Sequence, residues 1–249
     1  MEDLLRTLVV AGLVGLLFLL RLDAARFGTA EYDDETAHGG WRSGLRRLAW
    51  YGVGIALAVV VYELHPTPVS TLHLTIGEDR LGALVLGLAM GAAGTGLAAA
   101  FAWLRYRRFR LPEYGSYPGA ALNALGTAFI DEVTFRGAIL GLTLAAGWPA
   151  DLAIAFQAVL YALATRLGAR GRSRAMLLIS LAVGVVTALA TTATGGIGAG
   201  LLGHAITRFA IFVTTGHAGQ IRARGDEDEE IAAERLPPDG WEVVSGEDV

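Results

Sequence analysis

The stretch that decides the fold is residues 129–140, "FIDEVTFRGAIL", in which Asp131, Glu132 and Arg136 interrupt an otherwise apolar run. A charged side chain at the centre of a membrane-spanning helix costs about 2.5 to 3.5 kcal/mol on insertion scales. Three of them therefore require polar partners inside a helix bundle and will not face lipid. Glu132 precedes Arg136 by four residues, which is the favourable order for an ion pair on one helix. Asp131 is left without a partner nearby in the sequence.

The composition predicts an integral membrane protein. Of the 249 residues, 53% are hydrophobic and only 18% are charged, which is too few for the charged surface of an ordinary soluble domain. We therefore expect the lipid bilayer of the cell membrane as the surroundings and no nucleic-acid partner. The chain contains no cysteine, which excludes disulfides, thiolate metal sites and a cysteine nucleophile.

Apolar segments predict an all-α, polytopic bundle of about seven membrane spans. Some segments are shorter than the roughly 20 residues that cross a bilayer, but each can extend into its polar edges. No repeat of fixed period stands out. The predicted spans are residues 8–20, 48–62, 81–104, 120–144, 152–164, 175–193 and 195–213.

The arginines predict the orientation of these spans, because basic residues collect in cytoplasmic loops. Five follow span one, four follow span three, four follow span five and three lie in the C-terminal tail, which accounts for sixteen of the twenty. The N terminus is therefore predicted outside and the C terminus in the cytoplasm. The first span reads as a retained anchor, because its flank "MEDLLR" is acidic and the larger basic cluster follows its apolar part.

The chain divides into three predicted regions. Residues 1–114 hold the N-terminal spans and their loops, and residues 115–220 hold a core with the charged span. Residues 221–249 form an acidic tail, with ten acidic residues against one arginine between positions 226 and 248. Such a composition predicts a disordered cytoplasmic segment.

Two other spans carry polar stripes. His204 and Arg208 lie four residues apart on the last span, and the fifth span has Gln157, Tyr161 and Thr165 at the same spacing. Residues at this spacing share one face of a helix. Burying the three polar faces against each other would satisfy them all.

Charge balance then predicts the partner of the remaining acid. With Glu132 paired to Arg136, we expect Asp131 to pair with Arg208, so that two acids oppose two arginines. The charged span, the fifth and the seventh are thus predicted to share one buried polar centre.

These residues carry a resemblance to a known family. "DEVTFRG" at 131–137 resembles the Glu-Glu-x-x-x-Arg motif of the CPBP family, the CAAX proteases and bacteriocin-processing enzymes that are also called Abi or Ras-converting endopeptidase-like. "LYALAT" and "HAITR" are similar to the family's Phe-x-x-x-His and His-x-x-x-Asn/Asp motifs. The resemblance covers about residues 115–220, and motif order, spacing and placement on three spans all agree.

The resemblance implies a membrane endopeptidase in which a carboxylate activates water for attack on a peptide carbonyl. Asp131 would be the base, and Glu132 with Arg136 the supporting pair. His204 and the residue at position 208 would orient water or stabilise the oxyanion.

Three positions depart from the family pattern, and each departure weighs against hydrolysis. Asp131 replaces a glutamate and withdraws the carboxylate by one methylene, a misplacement that can cost on the order of a hundredfold in rate. Thr165 replaces a histidine, and Arg208 replaces asparagine or aspartate with a fixed cation.

No cofactor is predicted, although the family is often called a metalloprotease family. A catalytic zinc site takes three protein ligands. Here only His204 and the two adjacent acids remain within plausible reach, beside arginines that repel a dication.

The sequence leaves three functions open. The first is an intramembrane endopeptidase that cuts membrane-proximal or prenylated-protein-like substrates. The second is a catalytically inactive descendant that binds a membrane partner or peptide, with its former site turned into a neutral ion-pair lock. The third is a transporter or channel, in which buried ion pairs line a path. The lack of an evident inverted repeat counts against the third.

Overall fold

The computed structural model describes residues 2–27, 40–106, 117–167 and 174–215. Within these ranges every regular element is a helix and none is a strand, so the predicted all-α class is confirmed. The acidic tail at 221–249 and eight of the sixteen arginines predicted on the cytoplasmic side lie outside the described residues. The division into three regions and the orientation of the spans stay predictions.

Helices make up most of the described residues. A single 3-10 turn, Ala24–Phe27, follows the first helix. The helices are α1 (Glu2–Leu22), α2 (Gly40–Leu64), the one-turn α3 (Pro68–Thr71), α4 (Arg80–Tyr106), α5 (Tyr117–Asp131), α6 (Leu140–Ala145), α7 (Ala150–Leu167), α8 (Arg174–Thr194) and α9 (Gly198–Thr215). A π-helical segment, Glu132–Ile139, joins α5 to α6 without leaving helical backbone angles.

Each of the seven predicted spans is helical. In the part of the chain that the structure describes, five helices are long and apolar enough to cross a membrane, and they correspond to spans one, two, three, five and six. The seventh is the shorter apolar helix Gly198–Thr214. The fourth differs because it carries three charges and the π-helical segment.

Large apolar side chains cover the outside of these helices, as a bilayer requires. Leu81 and Leu97 on α4 and Leu178 on α8 are among the most exposed of them. In water, an exposed apolar surface of this extent would favour aggregation. The exposed leucines therefore agree with an integral membrane protein. The charged residues of the central span are the exception, because they are polar and buried.

The charged span lies at the centre of the bundle. All eight residues of its π-helical segment are buried. Phe135 packs in the main apolar cluster with Val14 and Leu17 of α1 and with Tyr161 and Ala164 of α7. Helices α1 and α7 therefore enclose the charged span from two sides.

Glycines allow α4 and α9 to approach each other closely. A methyl group added at Gly87 would fall within 3.0 Å of Leu202, and one added at Gly91 would fall within 2.8 Å of Ile206. Small residues at this spacing let helix backbones approach in lipid. The Gly87 and Gly91 pair thus packs helices within one bundle and fixes α9, which carries His204.

Candidate active site

Two adjacent acids occupy the junction of α5 and the π-helical segment. Asp131 ends α5, Glu132 begins the π-helical segment, and both side chains are completely buried. The backbone N–H of Leu140 donates to the carbonyl of Phe135, five residues earlier, as in a π-helix. Such segments are rare and are frequent at functional sites. Here the segment keeps Glu132 and Arg136 on the same side.

Asp131 pairs with an arginine from the first helix. Nε of Arg21, near the end of α1, donates to Oδ1 of Asp131 at 2.6 Å, and both side chains are buried. The predicted ion pair with Arg208 is therefore wrong. Because α1 packs directly against the charged span, its basic end reaches the acid first.

Arg208 instead contacts a neutral side chain. Its Nη2 donates to Oδ1 of Asn123 on α5 at 3.4 Å. No carboxylate of the described residues lies within ion-pair distance of its guanidinium. Arg208 is only partly buried, so it lies at the edge of the site.

Glu132 contacts two cationic or ionisable side chains through one oxygen. Its Oε1 lies 3.5 Å from Nη1 of Arg136 and 3.1 Å from Nδ1 of His204 on α9. The predicted Glu132–Arg136 pair is confirmed. His204, one turn before Arg208 on α9, is thus brought to the second acid of the motif.

Tyr161 extends this network. Its hydroxyl lies 3.2 Å from Nε2 of His204, and the guanidinium carbon of Arg136 lies 4.1 Å from the centre of its ring. When Glu132 is ionised and the imidazole is neutral, His204 donates from Nδ1 and its Nε2 accepts the hydrogen bond from Tyr161. The three side chains form one chain of hydrogen bonds, and Arg136 stacks on the tyrosine face.

The other residues of the fifth span divide between the site and the bundle. Thr165 lies at the edge of the site, with its hydroxyl 3.5 Å from Nη2 of Arg21. Gln157 donates instead to the backbone carbonyl of Gly184 at 2.8 Å and ties α7 to α8. The predicted polar stripe thus contributes Tyr161 and Thr165 to the site, and Gln157 to packing.

Both acids keep one oxygen for another donor. Among the described residues, Oδ2 of Asp131 and Oε2 of Glu132 are buried and have no hydrogen-bond partner. Oε2 of Glu132 faces Gly200, where an added methyl group would fall on it. Buried carboxylate oxygens are costly without donors, so water or a substrate group is the expected partner.

The donor set does not fit a zinc ion. The described residues contain no group of three or more histidine, aspartate or glutamate side chains that could hold a metal. His204 already uses both ring nitrogens on Glu132 and Tyr161. The guanidinium groups beside each acid would repel a dication.

Two residues of this site, Arg21 and Asn123, and the role of the Tyr161 hydroxyl do not follow from the sequence. Arg21 was counted only as a basic residue after the first span, although a cation at the very end of an apolar helix is a candidate partner for an unpaired buried acid. Asn123 gave no signal beyond being a polar residue in an apolar segment. Tyr161 is predicted as a member of a polar stripe, but the sequence does not indicate that its hydroxyl contacts His204.

The comparison with known families agrees with the motifs. Residues 114–210 match the model of the Rce1-like family, described as type II CAAX prenyl endopeptidase Rce1-like. Over this region the match agrees with the family resemblance predicted from the three motifs. No curated protein and no solved structure matches the chain. The family match and the apolar helices together indicate an integral membrane protein of membrane-protease type.

Proposed function

We propose that the chain is an intramembrane endopeptidase that hydrolyses a peptide bond with water activated by the Asp131–Glu132 pair. One observation carries the proposal. Each of the two adjacent buried acids has one oxygen held by a cation and a second oxygen with no hydrogen-bond partner among the described residues. A carboxylate that is held in place and can still accept a proton from water has the geometry of a general base.

Asp131 is the proposed base. Arg21 fixes its Oδ1, and Oδ2 would take a proton from the water as the water oxygen bonds to the carbonyl carbon. The same proton would then pass to the nitrogen of the leaving amine as the C–N bond breaks. Arg21 and Arg136 would offset the negative charge that develops beside the acids.

Glu132 and His204 are the proposed supporting pair. The 3.1 Å contact orients the imidazole, and Tyr161 holds its other nitrogen. A ring fixed from both sides can orient water or stabilise the oxyanion without further rearrangement. Thr165 and Arg208 lie at the edge, where the family places a histidine and an asparagine.

The proposed substrate is a membrane-proximal protein or peptide, and the proposed location is the cell membrane. A site buried among α1, α7 and α9 within the bundle favours a chain that approaches from the bilayer surface. The partly exposed side chains of Thr165 and Arg208 mark the side of approach.

A second candidate is an inactive relative that binds a membrane partner. The 2.6 Å contact between Arg21 and Asp131 favours it, because a carboxylate in so short a charge pair is a poor proton acceptor. Thr165 and Arg208 favour it too, since both depart from the family motifs. In this candidate the buried ion pairs preserve the bundle and the site takes part in binding.

A cleavage assay separates the two candidates. The full chain, reconstituted in liposomes, is incubated with a library of membrane-anchored peptides, and the products are identified by mass spectrometry. We expect wild-type cleavage to fall about a hundredfold or more in Asp131→Asn and in Glu132→Gln. Glu63→Gln, which changes an exposed acid of α2, is the matched control and should cleave like wild type. No cleavage by wild type, or equal cleavage by all variants, would overturn the endopeptidase proposal.

A further inference from the structure

The buried charges around the acids do not balance. We define the charge cluster as Arg21, Asp131, Glu132, Arg136 and Arg208. Each acid has its own arginine, at 2.6 Å for Asp131 and 3.5 Å for Glu132, and these contacts use two of the three guanidinium groups. Arginine stays charged in proteins, so the cluster carries one positive charge in excess.

The excess lies on Arg208. Its one hydrogen bond goes to the neutral Asn123, and among the described residues its Nε is buried without a partner. The other groups near enough to act on it electrostatically are Asp131, Arg21 and two tyrosines. Asp131 is already paired with Arg21, so no acid in the described part of the chain is left for Arg208.

An uncompensated guanidinium in this position calls for an anion. Removing a charge from water without a counter-charge is costly. Arg208 is partly exposed at the edge of the site, so a ligand can reach it. Arg21 lies near enough to act electrostatically on Arg208. Its Nη2 has only a 3.5 Å contact to Thr165, which leaves it able to donate as well.

The geometry and the charge select the ligand chemistry. A guanidinium presents a planar set of donors that matches the oxygens of a phosphate. A phosphodiester carries one negative charge, which equals the excess of the cluster. Arg208 lies seven residues before the end of α9, about 10 Å along the helix axis. A lipid headgroup or a phosphate in solution can supply such a group.

We propose that Arg208, assisted by Arg21, forms a binding site for a phosphate oxyanion at the edge of the charge cluster. The phosphate comes from a lipid headgroup or from solution. The site adjoins the hydrolytic centre and shares Arg21 with it, but its main donor is Arg208, the cation that replaces the family's asparagine or aspartate. It does not depend on the proposed endopeptidase activity.

Ligand-dependent thermal stability tests the site. The full chain is purified in a maltoside detergent and its melting temperature is followed by tryptophan fluorescence. Three additions are compared: phosphatidylglycerol, diacylglycerol with the same acyl chains, and inorganic phosphate at constant ionic strength. For wild type we expect phosphatidylglycerol to raise the melting temperature saturably by about 5 °C or more, and diacylglycerol to leave it unchanged.

Variants locate the effect. R208N and Arg208→Gln should lose the response, and Arg208→Lys should keep part of it. R80N removes one exposed arginine at the start of α4 and is the control with the same change in charge, so it should respond like wild type. If phosphatidylglycerol and inorganic phosphate both raise the melting temperature, the site also binds phosphate from solution. If only phosphatidylglycerol raises it, the ligand is the lipid headgroup.

Three results would overturn the proposal. The first is no response of wild type to either phosphate. The second is an equal response to diacylglycerol, which would assign the effect to acyl chains. The third is a full response in folded R208N or in folded Arg208→Gln, which would place the phosphate elsewhere.

Discussion

Nε of Arg21 lies 2.6 Å from Oδ1 of Asp131, although 110 positions separate the two residues in the chain. Arg21 belongs to α1, which precedes the region that matches the family model at residues 114–210. The first helix is therefore part of the site. Its basic end supplies the charge that lets Asp131 stay buried inside an apolar bundle.

Arg21→Gln is expected to destabilise the protein strongly. It leaves Asp131 as a buried carboxylate without its cation, a change that typically costs about 3 to 5 kcal/mol. Unfolding in a denaturing detergent, followed by circular dichroism, measures the loss. Stability that falls by less than about 1 kcal/mol would mean that the pair contributes little to holding α1 against the charged span.

A double-mutant cycle isolates the pair. Combined with Asp131→Asn, Arg21→Gln should cost far less than the sum of the two single changes, because neither charge is then left alone. Arg6→Gln is the control on the same helix, since Arg6 forms an exposed pair with Glu2. Its loss should stay below about 1 kcal/mol.

Tyr161→Phe is expected to remove the hydrogen bond to His204 and to leave the fold intact. The ring and its contact with Arg136 remain, and only the hydroxyl that lies 3.2 Å from Nε2 is lost. One hydrogen bond of this kind contributes about 1 kcal/mol. If the endopeptidase proposal holds, cleavage should fall by more than this small loss of stability would explain.

Nitrogen NMR of labelled histidine detects the hydrogen bond between Tyr161 and His204 without any assay of activity. The chain has five histidines, and His204→Gln identifies the signals of His204. Tyr161→Phe should shift the Nε2 signal of His204, because that nitrogen loses its donor. Tyr62→Phe, on α2, should leave it in place. An unchanged Nε2 signal in Tyr161→Phe contradicts the hydrogen-bond network.

Gly200→Ala is expected to displace Glu132. The added methyl group would fall on Oε2 of Glu132, and it would lie 3.3 Å from Cβ of Thr187. Since Oε1 is held by Arg136 and His204, the carboxylate has little freedom to move aside. Cleavage should drop and the histidine NMR signals should shift.

Gly52→Ala is the matched control for this change. Both glycines lie inside helices, but nothing lies within 4 Å of a methyl group added at Gly52. An alanine there should be neutral or stabilise the helix by up to about 1 kcal/mol. Equal behaviour of the two variants would show that the small residue at position 200 is not required by Glu132.

The sequence predicted the class of fold and much of the site because lipid restricts the choices. Asp131, Glu132 and Arg136 could not face acyl chains, so the span that carries them had to be central. The four-residue spacing then gave the Glu132–Arg136 pair, and His204 was correctly brought to the same centre. These predictions depend on local spacing and on hydropathy, both of which can be obtained from the sequence alone.

The partner of Asp131 could not be predicted in the same way. Which cation reaches a buried acid depends on which helices are neighbours, and spacing within a helix holds no information on that. Pairing Asp131 with Arg208 would satisfy the charge balance, but α1 packs against the charged span and places Arg21 beside Asp131 instead. The π-helical segment was also missed, because the residues 132–139 have an ordinary helical pattern.

His73 offers a prediction for pH dependence outside the membrane spans. It lies between α3 and α4, adopts the left-handed backbone angle φ 48°, and its carbonyl accepts from the N–H of Ile197. Burial lowers the pKa of His73 below its usual value of 6.5, and a hydrogen bond with the Gly195 backbone opposes this only in part. The folded chain therefore favours the neutral ring more than the unfolded chain does.

The sign of the effect follows from proton uptake. Below pH 6.5, the pKa of His73 in the unfolded chain, the unfolded chain binds a proton at this ring more readily than the folded chain does. The stabilisation is therefore present at neutral pH and is lost as the pH falls. The melting temperature should therefore be lower at about pH 5 than at about pH 7.5, and His73→Asn should reduce the difference. Asparagine tolerates the left-handed backbone, so it is the substitution that tests the ring alone. If His73→Asn keeps the full difference, the acid sensitivity belongs to other groups, of which His65, with a similarly lowered pKa, is the next to test.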